Sequence, residues 1–169
     1  MICYLGLGAN LGRRALQLAR GIAGLATDAR VLVLRVSPVY ETVPVGYRPG
    51  PDNPNYLNLV MMVEAACEAG ELLALAHEIE AQLGRVRTFL NAPRTIDIDL
   101  IACGDIITDS QELTLPHPRM WERQFVLAPL ADLNPEFETG AGKAGALVNR
   151  HDPEIKLLGR LGDLVRRNA

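Results

Sequence analysis

Lysine is nearly missing from this chain of 169 residues. Of its 17 basic residues 15 are arginine, and only Lys143 and Lys156 are lysine. Such a bias can follow genome base composition. It can also mark places where a planar guanidinium fork grips phosphate or carboxylate better than an ammonium does. Position in the chain must decide between the two. Aromatic residues are scarce as well, at 5%, which speaks against a surface built to stack bases. The three cysteines, Cys3, Cys67 and Cys103, lie far apart among apolar neighbours. That excludes a disulfide framework and a C-x-x-C pair, and they read as small buried hydrophobes in a reducing compartment. No apolar run approaches the ~18 residues of a transmembrane helix, and the N-terminus carries no secretory pattern. Internal repeats and low-complexity segments are missing too. The expectation is one soluble, cytoplasmic domain over residues 1–169, with no membrane contact.

What is present is the composition of a globular protein, 49% hydrophobic and 22% charged. Disorder and fibrous architectures are excluded. The net charge of −3 demotes nucleic acid as a partner, because a whole-surface binder is usually basic. Ile2 to Gly8 reads as a short buried strand, and Leu11 to about Ala26 carries apolar residues at helical spacing. Val31 to Val39 is rich in β-branched residues and broken at Pro38. Residues 41–55 contain Pro44, Pro49, Pro51 and Pro54 with Gly46 and Gly50. A compact domain rarely keeps so long a loop without a use, so this is a candidate binding loop or lid. Tyr56 to about Ala66 is strand-like, Glu71 to Leu83 is an amphipathic helix capped by Gly84, and Thr95 to Cys103 is the clearest strand. Further helices are expected over about Pro118–Leu130 and Pro153–Leu164. The order β-α-β-β-α-β predicts an α+β fold, the ferredoxin-like sandwich. That is an antiparallel sheet with helices packed on it, here with additional C-terminal elements. The second face of the sheet is expected to be free for a ligand.

The chemistry concentrates in Pro93-Arg94-Thr95-Ile96-Asp97-Ile98-Asp99. On a strand, Ile96, Ile98 and Leu100 turn to one face and Asp97 and Asp99 to the other, with Cα atoms about 6.5–7 Å apart. Two carboxylates so placed repel unless a cation lies between them. Hard oxygen donors favour Mg²⁺, either one ion each or a bridged pair. Arg85, Arg87 and Arg94 precede them, and the stretch from Ala81 to Ile96 holds no acid. Forks beside paired acids suit a polyphosphate held between metal and guanidinium. The alternative is that both acids are the solvated face of an alternating strand, which the scarcity of Asp in strands disfavours. Gly6-x-Gly8 lacks the third glycine of a dinucleotide fingerprint, and Gly142-Lys143 is followed by Ala144. A nucleotide bound here is therefore not held by a P-loop. His117, set between Pro116 and Pro118, is rigidly placed and able to meet a phosphate oxygen.

Taken in order, these motifs resemble the 6-hydroxymethyl-7,8-dihydropterin pyrophosphokinases of folate biosynthesis. The carriers are Gly8-Ala9-Asn10-Leu11, Tyr40-Glu41-Thr42, Tyr56-Leu57-Asn58, Gly84-Arg85-Val86-Arg87, the Pro93–Asp99 string, Leu115-Pro116-His117 and Arg123-Gln124-Phe125. The resemblance implies transfer of pyrophosphate from ATP to the hydroxymethyl group of a reduced pterin, giving AMP. It implies that Asp97 and Asp99 hold two Mg²⁺ ions, with Arg85 and Arg94 catalytic beside them. It also implies that Glu80, Arg87, Arg94, Ile101, His117 and Arg123 line the nucleotide. Asn58, Tyr56 and Phe125, with Thr42 and Val45, would receive the pterin. Partners are then small molecules, and the protein is expected to be a monomer. The chain departs from the family pattern at Leu90-Asn91-Ala92, where Arg-Trp-Gly is frequent, and at Thr88, Pro118, Val43 and Glu112. These changes touch loop contacts and phosphate charges, not the carboxylates. Two other readings stand beside this one: a non-catalytic binding module on the same sandwich, and a family member with an altered substrate.

Overall fold

The computed structural model describes residues 1–46, 49–51, 53–85 and 92–167. Its elements begin with β1 (Ile2–Ala9), α1 (Arg14–Thr27), β2 (Val31–Val36), β3 (Val39–Thr42), β4 (Tyr56–Ala65), α2 (Ala69–Gln82) and β5 (Asp97–Cys103). A small hairpin of β6 (Thr108–Asp109) and β7 (Thr114–Leu115) follows, then a 3-10 turn at Met120–Glu122 and α3 (Gln124–Leu133). The chain continues through β8 (Glu138–Thr139), β9 (Gly142–Lys143), α4 (Ala144–Leu147), β10 (Ile155–Gly159) and α5 (Leu161–Arg167).

The main sheet runs β10-β3-β4-β1-β5, with β2 also on β4, and every pairing is antiparallel. β4 is long enough to pair with β3 through Asn58 and with β2 through Val63. β2 and β3 thus form one line along β4, interrupted at Ser37-Pro38, where proline removes a ladder donor. Ser37 restores the pairing. Its N–H donates to Val60 O at 2.9 Å, and its Oγ accepts the Val60 N–H at 3.0 Å.

Alternation along the strands sorts the two faces. Leu5, Leu7, Leu59, Met61, Ile98 and Leu100 turn toward α1 and α2 and join Leu18, Leu25, Leu72 and Ile79 in the main core. Each fully buried aliphatic side chain contributes about 1.5–3 kcal/mol of hydrophobic stabilisation. Tyr4, Val60 and Ile101 turn the other way and are covered by Met120, Leu130, Leu133 and Ala144. The second face is therefore not free, as expected from the sequence, but half covered. Its apolar half takes the C-terminal elements as a lid, and the half over Gly6 and Gly8 stays open.

Two helix expectations also change. The stretch Pro153–Leu164 is strand β10 followed by α5. Its strand half satisfies the outer edge of β3, with Leu157 opposite Tyr40, which a helix would leave unpaired. The helix expected over Pro118–Leu130 starts later, at Gln124, because Arg123 is extended (φ −114°, ψ 105°), and it runs on to Leu133.

Candidate active site

The open half of the sheet is the floor of a cleft. Gly6 and Gly8 of β1, Asn58 of β4, and Asp97, Asp99 and Ile101 of β5 pave it. Thr42, Val45, Tyr56, Arg94, His117, Arg123 and Phe125 also line it. Eleven of the residues singled out from the sequence thus meet in one place: Thr42, Val45, Tyr56, Asn58, Arg94, Asp97, Asp99, Ile101, His117, Arg123 and Phe125. Glu80 and Arg85 stand behind this lining. Arg87 lies outside the described residues.

Strand periodicity alone brings Asp97 and Asp99 to the cleft and sends Ile98 to the core. Asp97 is held between two guanidiniums. Arg94 Nη1 lies 2.5 Å from its Oδ2, and Arg85 Nη1 lies 2.6 Å from its Oδ1. Arg85 is paired in turn with Glu80, which is only 2% exposed and whose Oε1 accepts the Ile98 N–H at 2.7 Å. The local cause is the end of α2. Gly84 adopts φ 79°, its N–H donates to Ala81 O at 3.1 Å, and the Arg85 N–H donates to Glu80 O at 3.0 Å. This double closure is a Schellman motif, which needs a residue at ease with positive φ. It folds Arg85 back beside Glu80. β5 is the edge of the sheet, so the Ile98 amide needs a partner from outside the ladder, and Glu80 provides it.

Asp99 is open to the cleft, yet it sits at the cleft floor with protein around it. Partial loss of water, then the negative charges of Asp97 and Glu80, push its pKa up to about 7; Arg85 and Arg94 oppose that shift. His117 moves the other way. Burial, then Arg123 and Arg119, push its pKa down, so the ring is neutral at pH 7. Its Nδ1 accepts the Arg119 N–H at 3.2 Å, which puts the ring proton on Nε2. The His117 N–H donates to Ile101 O at 2.8 Å and ties this loop to β5. The Arg123 guanidinium stands 5.5 Å from the Phe125 ring centroid, a cation–π contact that holds both side chains.

At the apolar end of the cleft, Asn58 Nδ2 donates to Thr42 Oγ1 at 2.7 Å. Gly8 lies against this amide so closely that a Cβ there would sit 2.6 Å from Asn58 Oδ1. Burial raises the pKa of Tyr56, which keeps its hydroxyl protonated next to Arg94.

The donor set fits a hard cation that brings further ligands with it. Asp97 Oδ1 is buried without a hydrogen bond, although Arg85 Nη1 lies 2.6 Å from it as an ion pair. Loss of water first, then the neighbouring charges of Asp97 and Glu80, make the ionised form of Asp99 costly without a cation. Among the described residues no third His, Cys, Asp or Glu completes a protein-only metal cage. Two carboxylates with the remainder supplied by phosphate and water is how proteins take Mg²⁺. Sequence reasoning missed Asn10, which is 1% exposed and bonded to two loops. The sequence showed it only inside the Gly8-Ala9-Asn10-Leu11 motif after β1, with no role of its own, and its neighbours come from distant parts of the chain.

A cleft that carries hard-oxygen acids and guanidinium forks together, with aromatic rings at one end, suits the handling of phosphorylated groups. The model of the 7,8-dihydro-6-hydroxymethylpterin-pyrophosphokinase family matches residues 4–135. A Bacillus subtilis 2-amino-4-hydroxy-6-hydroxymethyldihydropteridine pyrophosphokinase is 41% identical over 85% of this chain and 84% of its own length. A protein of the same description from Methylorubrum extorquens is 36% identical over 89% of this chain and 93% of its own length. A folic acid synthesis protein of Schizosaccharomyces pombe is 38% identical, and the matched region is 18% of that longer protein. Among solved structures, an HPPK-DHPS in complex with substrates superposes with a TM-score of 0.68 at 14% identity. It covers 93% of this chain and 46% of that one. Wild-type Plasmodium falciparum HPPK-DHPS gives 0.66 at 16% identity, over 92% of this chain and 48% of that one. The chain belongs to the 7,8-dihydro-6-hydroxymethylpterin-pyrophosphokinase family and serves the pyrophosphokinase step of folate biosynthesis.

Proposed function

We propose that the cleft binds ATP with two Mg²⁺ ions beside reduced 6-hydroxymethylpterin and transfers the terminal diphosphate to the pterin. The pterin hydroxymethyl oxygen attacks the β-phosphorus. The bond from that phosphorus to the oxygen bridging it to the α-phosphate breaks, AMP leaves with that oxygen, and the hydroxyl proton is released. The observation that carries this reading is the convergence of Asp97, Asp99, Arg94, His117 and Arg123 with Asn58, Tyr56 and Phe125 in one cleft. Mg²⁺ held by Asp97 and Asp99 supplies charge neutralisation at the phosphates. The chain itself positions. Arg94 and Arg123 offer forks to phosphate oxygens, and neutral His117 offers Nε2–H. Arg85, anchored by Glu80, steadies Asp97 from behind. In this reading Glu80 acts through Arg85 and does not touch the nucleotide. Tyr56 and Phe125 flank the flat ring, and Asn58 with Thr42 meets its polar edge. Alignment and charge neutralisation account for catalysis without a dedicated general base.

The strand order supports a ferredoxin-like core, with β2 and β3 as one interrupted strand and β10 as an added edge. The three free cysteines support a reducing, cytoplasmic setting. The test is ATP-dependent AMP formation with reduced hydroxymethylpterin and Mg²⁺. Turnover by the wild type, abolished in folded Asp97→Ala, is the expected result, and no AMP from intact folded protein overturns the reading.

A further inference from the structure

Asn10 stands outside the cleft lining, and the reaction as proposed gives it nothing to do. It is nonetheless almost wholly buried, at 1% exposure. Its Oδ1 accepts the Arg94 N–H at 2.7 Å, and its own N–H donates to Arg94 O at 3.1 Å. Its Nδ2 donates to Asn53 Oδ1 at 3.0 Å and to Pro54 O at 3.2 Å. One buried amide therefore joins two segments from different parts of the chain. The first carries Arg94 to Asp97, the phosphate end of the cleft. The second closes the loop after β3 and runs directly into Tyr56 and Asn58, the aromatic end.

We propose that Asn10 is a positioning residue that couples the two ends of the cleft, so that filling one end favours filling the other. This rests on reading those ends as nucleotide and pterin subsites. A buried carboxamide satisfied on one arm and orphaned on the other is costly, because the orphaned group has given up water for nothing. Either segment moving away strips Asn10 of half its partners. A ligand that orders one segment thus fixes the amide in the geometry the other segment needs. The second ligand then has less ordering to do. Such coupling is reciprocal by necessity. Tyr56 lies against Arg94 from inside the cleft and forms a parallel link, so Asn10 carries a share of the coupling and not the whole.

The test is titration of the full chain with reduced hydroxymethylpterin, with and without a saturating non-hydrolysable ATP analogue and Mg²⁺. The ratio of the two Kd values is the coupling factor. Asn10→Ala is expected to lower that ratio about tenfold, and Asn53→Ala about threefold, each hydrogen bond being modest singly. The Kd for pterin alone changes less than the ratio, which a general loosening of the fold would not produce. Asn53 lies on the loop, so Asn53→Ala decides the matter if Asn10→Ala fails to fold. A ratio of one in the wild type, or an unchanged ratio in a folded variant, overturns the proposal. Failure of the wild type to bind either ligand overturns the functional reading itself.

Discussion

At the scale of single residues, close approach and charge set the site. Gly8 is needed because any side chain there meets Asn58 Oδ1, at 2.6 Å for the first carbon. Gly8→Ala must turn the Asn58 amide and break its bond to Thr42. We expect pterin Kd to rise about tenfold, the cost of one or two misplaced hydrogen bonds, with nucleotide Kd unchanged in the same titration. Glu80→Gln keeps an oxygen for the Ile98 amide but takes from Arg85 the more deeply buried of its two counter-charges, leaving it Asp97. Breaking such a pair costs about 3 kcal/mol, read as a fall in Tm of roughly 6–12 °C. A kcat loss should accompany it, because Arg85 no longer steadies Asp97. The pairing of Asp97 with Asp99 is plain in the sequence, since a strand period of two puts both on one face. The role of Glu80 is not. Two residues of helix, Leu83 and a glycine turn separate it from Arg85, and only the end of α2 shows that it faces inward.

At the scale of elements, the C-terminal region explains itself through what it covers. Arg150 donates to the Tyr40 hydroxyl at 2.7 Å and to Asp132 Oδ1 at 2.7 Å, and the Tyr40 hydroxyl donates to Asp132 Oδ2 at 2.6 Å. Burial, then the Asp132 carboxylate, push the Tyr40 pKa up to about 12, so it remains a donor at any physiological pH. This clamp fastens α3 and the approach to β10 onto β3, the strand that leads to Thr42. Arg150 is half exposed, so solvent screens its share. Arg150→Ala should therefore cost about 1 kcal/mol, a Tm drop of roughly 2–4 °C in thermal unfolding. The helices α1 and α2 and the strands β1, β4 and β5 were legible from periodicity because each carries its own apolar stripe or alternation. β10 was not, since Pro153 to Leu164 has no period strong enough to outweigh the edge of β3 waiting for a partner.

At the scale of the whole molecule, charge balance links the site to stability. The folded pKa of Asp99, about 7, stands above its ordinary value of 3.8. The native state thus holds this proton more tightly than the unfolded chain does. Its stabilising contribution is complete below about pH 4 and is lost as pH rises toward and through 7. His117, with its pKa pushed down, has the opposite sign and costs stability as pH falls through that lowered value. In metal-free protein, thermal scans in buffers from pH 5.5 to 8 should show the Asp99 loss on going up. Adding Mg²⁺ with an ATP analogue should restore more stability at pH 8 than at pH 5.5, because the cation takes the place of the proton. Equal shifts at both pH values would contradict a metal role for Asp99.

By itself the sequence determined the alternation that faces Asp97 and Asp99 outward, the arginines around them, the long loop after β3 and the motif order that marks the family. All of these are local, written within a few residues by backbone geometry and side-chain chemistry. The arginine excess divides along the same line. Arg85, Arg94 and Arg123 stand at the cleft, while others, such as Arg166, sit at the surface. Only the tertiary structure decided that half the second sheet face is covered, that Glu80 stands behind the strand, that β10 is a strand, and that Asn10 binds two loops at once. Each of these depends on a partner far away in the chain, and burial against that partner, not local preference, selects the conformation.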